Sequence, residues 1–436
     1  MQRIRLIVLL SAAGVTGVMI LVLMQLVYAE ISGSNAAFLP VVNRPGEPEF
    51  RGMWVTRFDW TTGTEAADPA KIDEIVQNAA DAGFNAIFFQ VRGAADAYYQ
   101  PGPEPWAARV SGGALGQAPV PFWDPLAYFV QKAHENGLQL HAYINVYPVW
   151  DNCQTPPIHT TPEHFYYLLQ QAHGETDGKL NGLQWTTGGD QYCDVYWRAS
   201  PASVFTDDHL ITVFDYLASN YDIDGLHLDH TRYGNAETSC DPVSAAAAGV
   251  PCFSTPPTGY SSYEHWQRAQ VNGTVNKIYT HLVNNYPDLW LSAAVWPIYI
   301  ERPEWGWGGF ALEGYNDLYQ DSKAWVQGGY IDVNTPMIYP GGGYNCPDDS
   351  FWSLDKWQTL AADFQADSGD RLIIPGIGSG YCTFDEIENR IMAARQMGTA
   401  GHAIFSYGAL LTNQYFDDLA AGPYAVPATV PEITWR

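Results

Sequence analysis

What most limits how this chain can fold is an alternation that begins at Arg51. A short run rich in β-branched and aromatic residues, a loop, and a segment of helical length recur eight times. Strands are expected near 52–58 (GMWVTRF), 85–92 (NAIFFQVR), 139–147, 224–229, 290–297 (WLSAAVWP), 331–339 (IDVNTPMIY), 371–378 (RLIIPGIG) and 401–407 (GHAIFSY). Helices are expected over 68–82, 124–136, 205–220, 262–286, 322–327, 351–366 and 384–397. Asp68-Pro69 and Asp124-Pro125 are cap-and-start pairs, and Gly83 and Gly137 close the helices they open. Alternating strands and helices build a parallel sheet, and eight units close it, so the expected fold is α/β, a (β/α)8 TIM barrel.

The connections are unequal. Those following strands are long (93–123, 148–204, 230–261, 298–320, 340–350), whereas those preceding strands are tight, as at 82–84 and 136–137. That asymmetry marks one elaborated face, the C-terminal face where barrels of this kind keep their chemistry. The glycine runs 341–343 and 376–380 read as turns near that face.

YDIDGLHLDHTRY (221–233) places one residue on this face with particular force. Side chains alternate along a strand, so Leu226 and Leu228 face a covering helix while Gly225, His227 and Asp229 face the interior. Asp229 therefore ends a buried strand as a carboxylate. Asp224 reads as turn chemistry at the strand entrance, and His141 and His227 as core histidines.

Other strand ends supply Asp59, Gln90, Arg92, Asp96, Asn145, Tyr147, His230, Arg232, Trp296 and Tyr339, with Glu301 in the loop after the fifth strand. Carboxylates gathered with aromatics and hydrogen-bonding groups suit glycoside hydrolysis, in which one carboxyl donates a proton and another attacks or activates water. Asp229 is the first candidate, with Glu301 or Asp96 as its partner. Arg92 is expected within reach of Asp96, to hold it ionised or to bind a substrate oxygen. The remaining residues are expected to bind substrate.

The termini, charge and cysteines bear on compartment and partners. Arg3 and Arg5 precede an apolar run from Leu6 to Val27 and small residues near Ala29, the pattern of a signal peptide over 1–29. The run is also long enough to anchor the chain in a membrane uncleaved. Residues 30–50 read as a linker, 51–422 as the barrel and 423–436 as a tail. Six cysteines, at 153, 193, 240, 252, 346 and 382, lie in or beside the long loops. They suggest neighbour-paired disulfides, Cys153 with Cys193, Cys240 with Cys252 and Cys346 with Cys382, in an exported protein. A net charge of -26 opposes nucleic acid or an anionic membrane surface as partner. No C-x-x-C cluster, Walker loop, G-x-S-x-G elbow or dinucleotide fingerprint occurs, so no metal or cofactor is expected. A polysaccharide or oligosaccharide is the expected partner and a monomer the expected state.

Several segments resemble the glycosyl-hydrolase-like 10 domain family. They are RGMWVTRFD (51–59), NAIFFQVRGAADAYY (85–99), DPLAYFVQKAHENGLQLHAYINVY (124–147), YDIDGLHLDHTRY (221–233), WQRAQVNGTVNKIY (266–279), QDSKAWVQGGYIDVNTPMIY (320–339) and GHAIFSY (401–407). The resemblance implies a (β/α)8 barrel acting on glycan, with bacterial members associated with cell-wall polysaccharide. It implies a cleft carboxylate at Asp229 and cleft positions at Gln90, Arg92, Asp96 and Asn145. Two departures stand out. The family commonly carries two adjacent acids where this chain has Asp229-His230, and Ser-Pro-Phe-Gly where it has Ala294-Val295-Trp296-Pro297.

Overall fold

The computed structural model describes residues 47–436 except Phe310 and 341–351. The expected export segment, most of the expected linker, the glycine run 341–343 and Cys346 therefore lie outside the described residues. All eight expected strand regions carry strand: β1 (Phe50–Val55), β2 (Ala86–Arg92), β3 (Gln139–Asn145), β4 (Gly225–Asp229), β5 (Trp290–Val295), β6 (Val333–Pro336), β7 (Leu372–Ile373), β8 (Gly376–Gly378) and β9 (Gly401–Phe405). They form one parallel sheet in the order β7-β6-β5-β4-β3-β2-β1-β9-β8. Consecutive crossovers through helices produce that order.

The seventh unit departs from the expected continuous strand. Pro375 has no amide hydrogen to donate, and the segment 372–378 breaks there into β7, paired with β6, and β8, paired with β9. The two edges of the curled sheet are thus successive pieces of one segment, rather than members of a regular eight-stranded barrel. Strand ends also come earlier than expected on β1, where Thr56 caps a one-turn helix, Arg57–Trp60.

Helix boundaries follow the caps read from sequence. Asp68 accepts from Ala70 N and Asp124 from Leu126 N and Ala127 N, opening Pro69–Ala82 and Pro125–Glu135. Gly83 ends the first at φ 87°, a left-handed conformation that other residues adopt at a cost. Long helices Val204–Asn220 and Tyr263–Asn285 cover the sheet beside β4.

The alternation expected along β4 is present. Leu226 and Leu228 join a large cluster with Leu210, Phe214 and Val275 of the covering helices. The interior cluster instead contains Phe50, Trp54, Phe88, Tyr143, Trp290 and Tyr339. Gly225 is required here, because a Cβ would lie 2.4 Å from Nδ1 of His141. His227 stacks on Phe88 with centroids 4.0 Å apart. Its Nε2 accepts from Trp54 Nε1 at 3.1 Å, so Nδ1 carries the hydrogen shared with Ser292 at 2.8 Å. Burial lowers its pKa to about 3, and the ring is a neutral floor beneath Asp229.

Segment 423–436 packs beneath the opposite end. Val430 and Ile433 touch the interior cluster, and Trp435 and Arg436 reach buried Asp332 at 2.9 Å each. Disulfides join Cys153 to Cys193 and Cys240 to Cys252, as expected, in the loops after β3 and β4. No helix among the described residues is long and apolar enough to cross a membrane.

Candidate active site

Asp229 ends β4 in register with Asn145 of β3. Its Oδ2 accepts from the hydroxyl of Tyr143 at 2.8 Å, and its Oδ1 from His230 N at 2.5 Å and Arg232 Nη1 at 3.3 Å. Burial alone would raise this carboxyl. In acid the positive charges of His230 and then Arg232, with these hydrogen bonds, outweigh it and hold the pKa down to about 2. His230, with a pKa lowered by burial to about 3, is neutral near pH 7, so Arg232 is the cation that keeps Asp229 ionised.

From Asp229 a polar arc runs around the mouth. Arg232 lies over the Trp296 ring at 5.3 Å, and Trp296 is anchored through Nε1 to Leu312 O at 2.6 Å. Tyr339 stacks on Phe405 at 4.9 Å between centroids. On the other side the edge of Tyr196 meets the His230 ring at 5.4 Å, and its hydroxyl accepts from Arg57 at 2.8 Å. The amide of Arg57 donates to Gln90 Oε1 at 3.0 Å, tying this arm to the end of β2.

Asp96 stands next to Arg57 in this arc. Its Oδ1 accepts from Ala94 N at 2.8 Å and Gly93 N at 3.2 Å, while Oδ2 takes no hydrogen bond from the described residues. Burial raises its pKa; the two amides and Arg57 only partly oppose that. The pKa values of the two carboxyls of the arc are therefore shifted in opposite directions, Asp229 down and Asp96 up.

Several sequence candidates have other engagements. Arg92 does not hold Asp96 as expected. It is fully buried and paired with Glu104 at 2.8 Å, with Nη1 donating to the carbonyls of Asn145, Val146 and Pro148. Tyr147 bonds Thr274 of a covering helix at 3.0 Å and belongs to the layer outside the sheet. Asp59 accepts from Thr56 and from Gly408 N, capping two helices. Asn145 donates to Gly93 O at 2.9 Å, steadying the turn that carries Asp96. Glu301 accepts from Gly309 N at 2.8 Å within its own loop and shares no partner with Asp229. Asp224 is structural as expected, but through the neighbouring strand rather than its own turn: it accepts from Leu140 N of β3 at 2.7 Å.

Sequence reasoning missed Arg57, Tyr143, Tyr196 and Arg198. Strand parity marks Tyr143, two residues before Asn145 on the same face of β3. Tyr196 and Arg198 come from a two-stranded excursion, Pro148–Trp150 with Trp197–Arg198, inside the long third loop, where no local pattern shows which side chains return to the mouth. Among the described residues no group of three His, Cys, Asp or Glu side chains is gathered to hold a metal ion.

Comparison with known proteins bears on the family and the fold. Glycosyl hydrolase YngK of Bacillus subtilis is 23% identical over 413 residues, 91% of this chain and 76% of that protein. Glycosyl hydrolase DigH of Escherichia coli K12 is 23% identical over 320 residues, 69% of this chain and 67% of that protein. The glycoside hydrolase domain of PgaB (BpsB) from Bordetella bronchiseptica shares the fold. Its TM-score is 0.59 at 12% identity, covering 87% of this chain and 99% of that domain. An α-L-fucosidase from Paenibacillus thiaminolyticus follows at 0.53 and 13% identity, over 86% of this chain and 49% of the enzyme. Residues 49–343 match the model of the family described as glycosyl hydrolase-like 10, and the chain belongs to that family.

Proposed function

We propose that this protein is an exported or membrane-tethered glycoside hydrolase that cleaves a polysaccharide, with peptidoglycan glycan the first substrate to test. One observation carries the reading: a carboxylate held ionised by Arg232 and Tyr143 stands in the same aromatic-lined arc as a buried carboxyl with a raised pKa. Asp229 would act on the anomeric carbon, directly or through water, and stabilise the positive charge that develops there. Asp96 would donate the proton to the departing oxygen. Trp296 offers a ring on which a sugar stacks, while Tyr339, buried against Phe405, backs the arc. The names of the relatives, both glycosyl hydrolases, support the reaction class. The disulfides favour an oxidising compartment.

The second reading, a carbohydrate-binding barrel without catalysis, is favoured by one feature: this chain has Asp229-His230 where the family resemblance implies two adjacent acids. Release of reducing ends from a panel of glycans, including peptidoglycan strands, separates the two. Asp229→Asn should lower turnover roughly a thousandfold or more, and Asp96→Asn about 10²–10⁴-fold, with unchanged melting. Binding of a glycan with no release by the wild-type protein would establish the lectin-like reading, and full activity in Asp229→Asn would remove that residue from the chemistry.

A further inference from the structure

His230 follows Asp229 directly and adopts a left-handed backbone, φ 50°, uncommon for a residue bearing a side chain. That conformation turns the imidazole back beside the carboxylate. Its Nδ1 lies 3.1 Å from Nη1 of Arg198 and 3.4 Å from Nη2 of Arg232. A guanidinium only donates, so Nδ1 must present its lone pair to both. The hydrogen of the neutral ring is then on Nε2. Protonating Nδ1 would set a third positive charge against two arginines, and the other groups facing the ring are Asp229, Asp194 and Tyr196.

Nε2–H therefore stands as a permanent donor. It has no hydrogen-bond partner among the described residues, and the side chain keeps 20% of its surface open. The nearest carboxylate oxygen, Asp229 Oδ2, is 4.0 Å away. That is too far for a direct bond, but it leaves room for one oxygen about 2.8 Å from each. Such an oxygen must accept from Nε2–H and donate to Oδ2. A hydroxyl does both, as does the water a hydroxyl would displace; an ether, a carbonyl or an ammonium group does only one.

We infer that His230 and Asp229 together read a single sugar hydroxyl at the subsite beside the ionised carboxylate, with His230 a fixed neutral donor rather than a second acid. The inference deepens the hydrolase reading and rests on it for the sugar. The tautomer itself does not depend on turnover.

Imidazole ¹H–¹⁵N spectra of the full chain test it, with His230 assigned by the signal lost in His230→Asn. Asn tolerates the left-handed backbone, so that variant should melt as the wild type does. His230 is expected as the Nε2–H tautomer with no titration between pH 5 and 8; an Nδ1–H tautomer, or protonation near pH 6.5, overturns the assignment. Glucose and galactose, each with its 2-, 3-, 4- and 6-deoxy counterparts, are then the probes. At least one parent sugar should shift the His230 signal, and one deoxy position should bind roughly ten- to a hundredfold more weakly while the others bind as the parent. In His230→Asn, measured by calorimetry, that discrimination should disappear. Equal binding of all deoxy sugars, or no shift with either parent, refutes the hydroxyl reading. Reducing-end release, measured separately, reports whether the hydrolase reading survives.

Discussion

Replacing Arg92 by Leu distinguishes a substrate contact from a structural clamp. In the folded protein the guanidinium and Glu104 are both fully buried, and their contacts include Nε to Oε2 at 2.8 Å and Nη2 to Oε1 at 2.8 Å. His209 adds a contact to Glu104 at 2.9 Å. Burial would raise the Glu104 carboxyl, yet these partners hold its pKa to about 2. Arg92→Leu leaves that carboxylate buried with one partner and strips a donor from three backbone carbonyls at the end of β3. Removing one member of a buried pair costs about 3–5 kcal/mol. At about 2.1 cal/mol/K per residue, unfolding this domain carries an entropy near 0.8 kcal/mol/K, so melting should fall by about 4–6 °C. Arg92→Leu combined with Glu104→Leu should regain at least half of the loss, because no lone buried charge remains. Calorimetric melting and urea titration of the single and double variants measure this. If Arg92→Leu melts like the wild type and only raises KM, the guanidinium binds substrate and the clamp is wrong.

Acid should weaken the fold over a defined window. Glu49, Glu104 and Asp229 have folded pKa values of about 2, below their unfolded values, so the stability they contribute is present above about pH 4.5 and is lost as pH falls toward 2. A urea midpoint unchanged between pH 5 and 3 would contradict it. Converting Cys153 and Cys193 to Ser opens a 40-residue loop and should cost about 4 kcal/mol by chain entropy. Turnover should fall with it, since the crosslink ties down Cys193, from which the chain runs directly into Tyr196 and Arg198; an unchanged denaturation midpoint would show that the crosslink is dispensable. Arg436→Ala removes the cation beside buried Asp332 and should lower stability by about 3 kcal/mol, read by urea titration, with kcat unaffected. Loss of turnover without loss of stability would instead place the tail in function.

Sequence alone determined the repeating strands and the helices between them, because their signals are local; the break at Pro375 and the helices inside the long loops, Phe165–His173 and Pro242–Ala248, were not among them. Period-two alternation put Leu226 and Leu228 outward and His227 and Asp229 inward, Asp-Pro pairs started helices at Pro69 and Pro125, and loop lengths marked one face as elaborated. Neighbouring cysteines sufficed for the pairs 153–193 and 240–252. Which polar side chains meet was a different matter. Arg92 and Asp96 are four residues apart, yet Arg92 serves Glu104 and Asp96 stands beside Arg57, since packing between β2, β3 and their loops decides each partner. Tyr196 and Arg198, just beyond Cys193, reach His230 because an excursion paired through Pro148–Trp150 and Trp197–Arg198 folds back over the mouth, a contact across more than thirty residues that no sequence period encodes. Periodicity fixes which way a side chain points, whereas its partner, and through that partner its charge, depends on chain segments that meet only in the folded molecule.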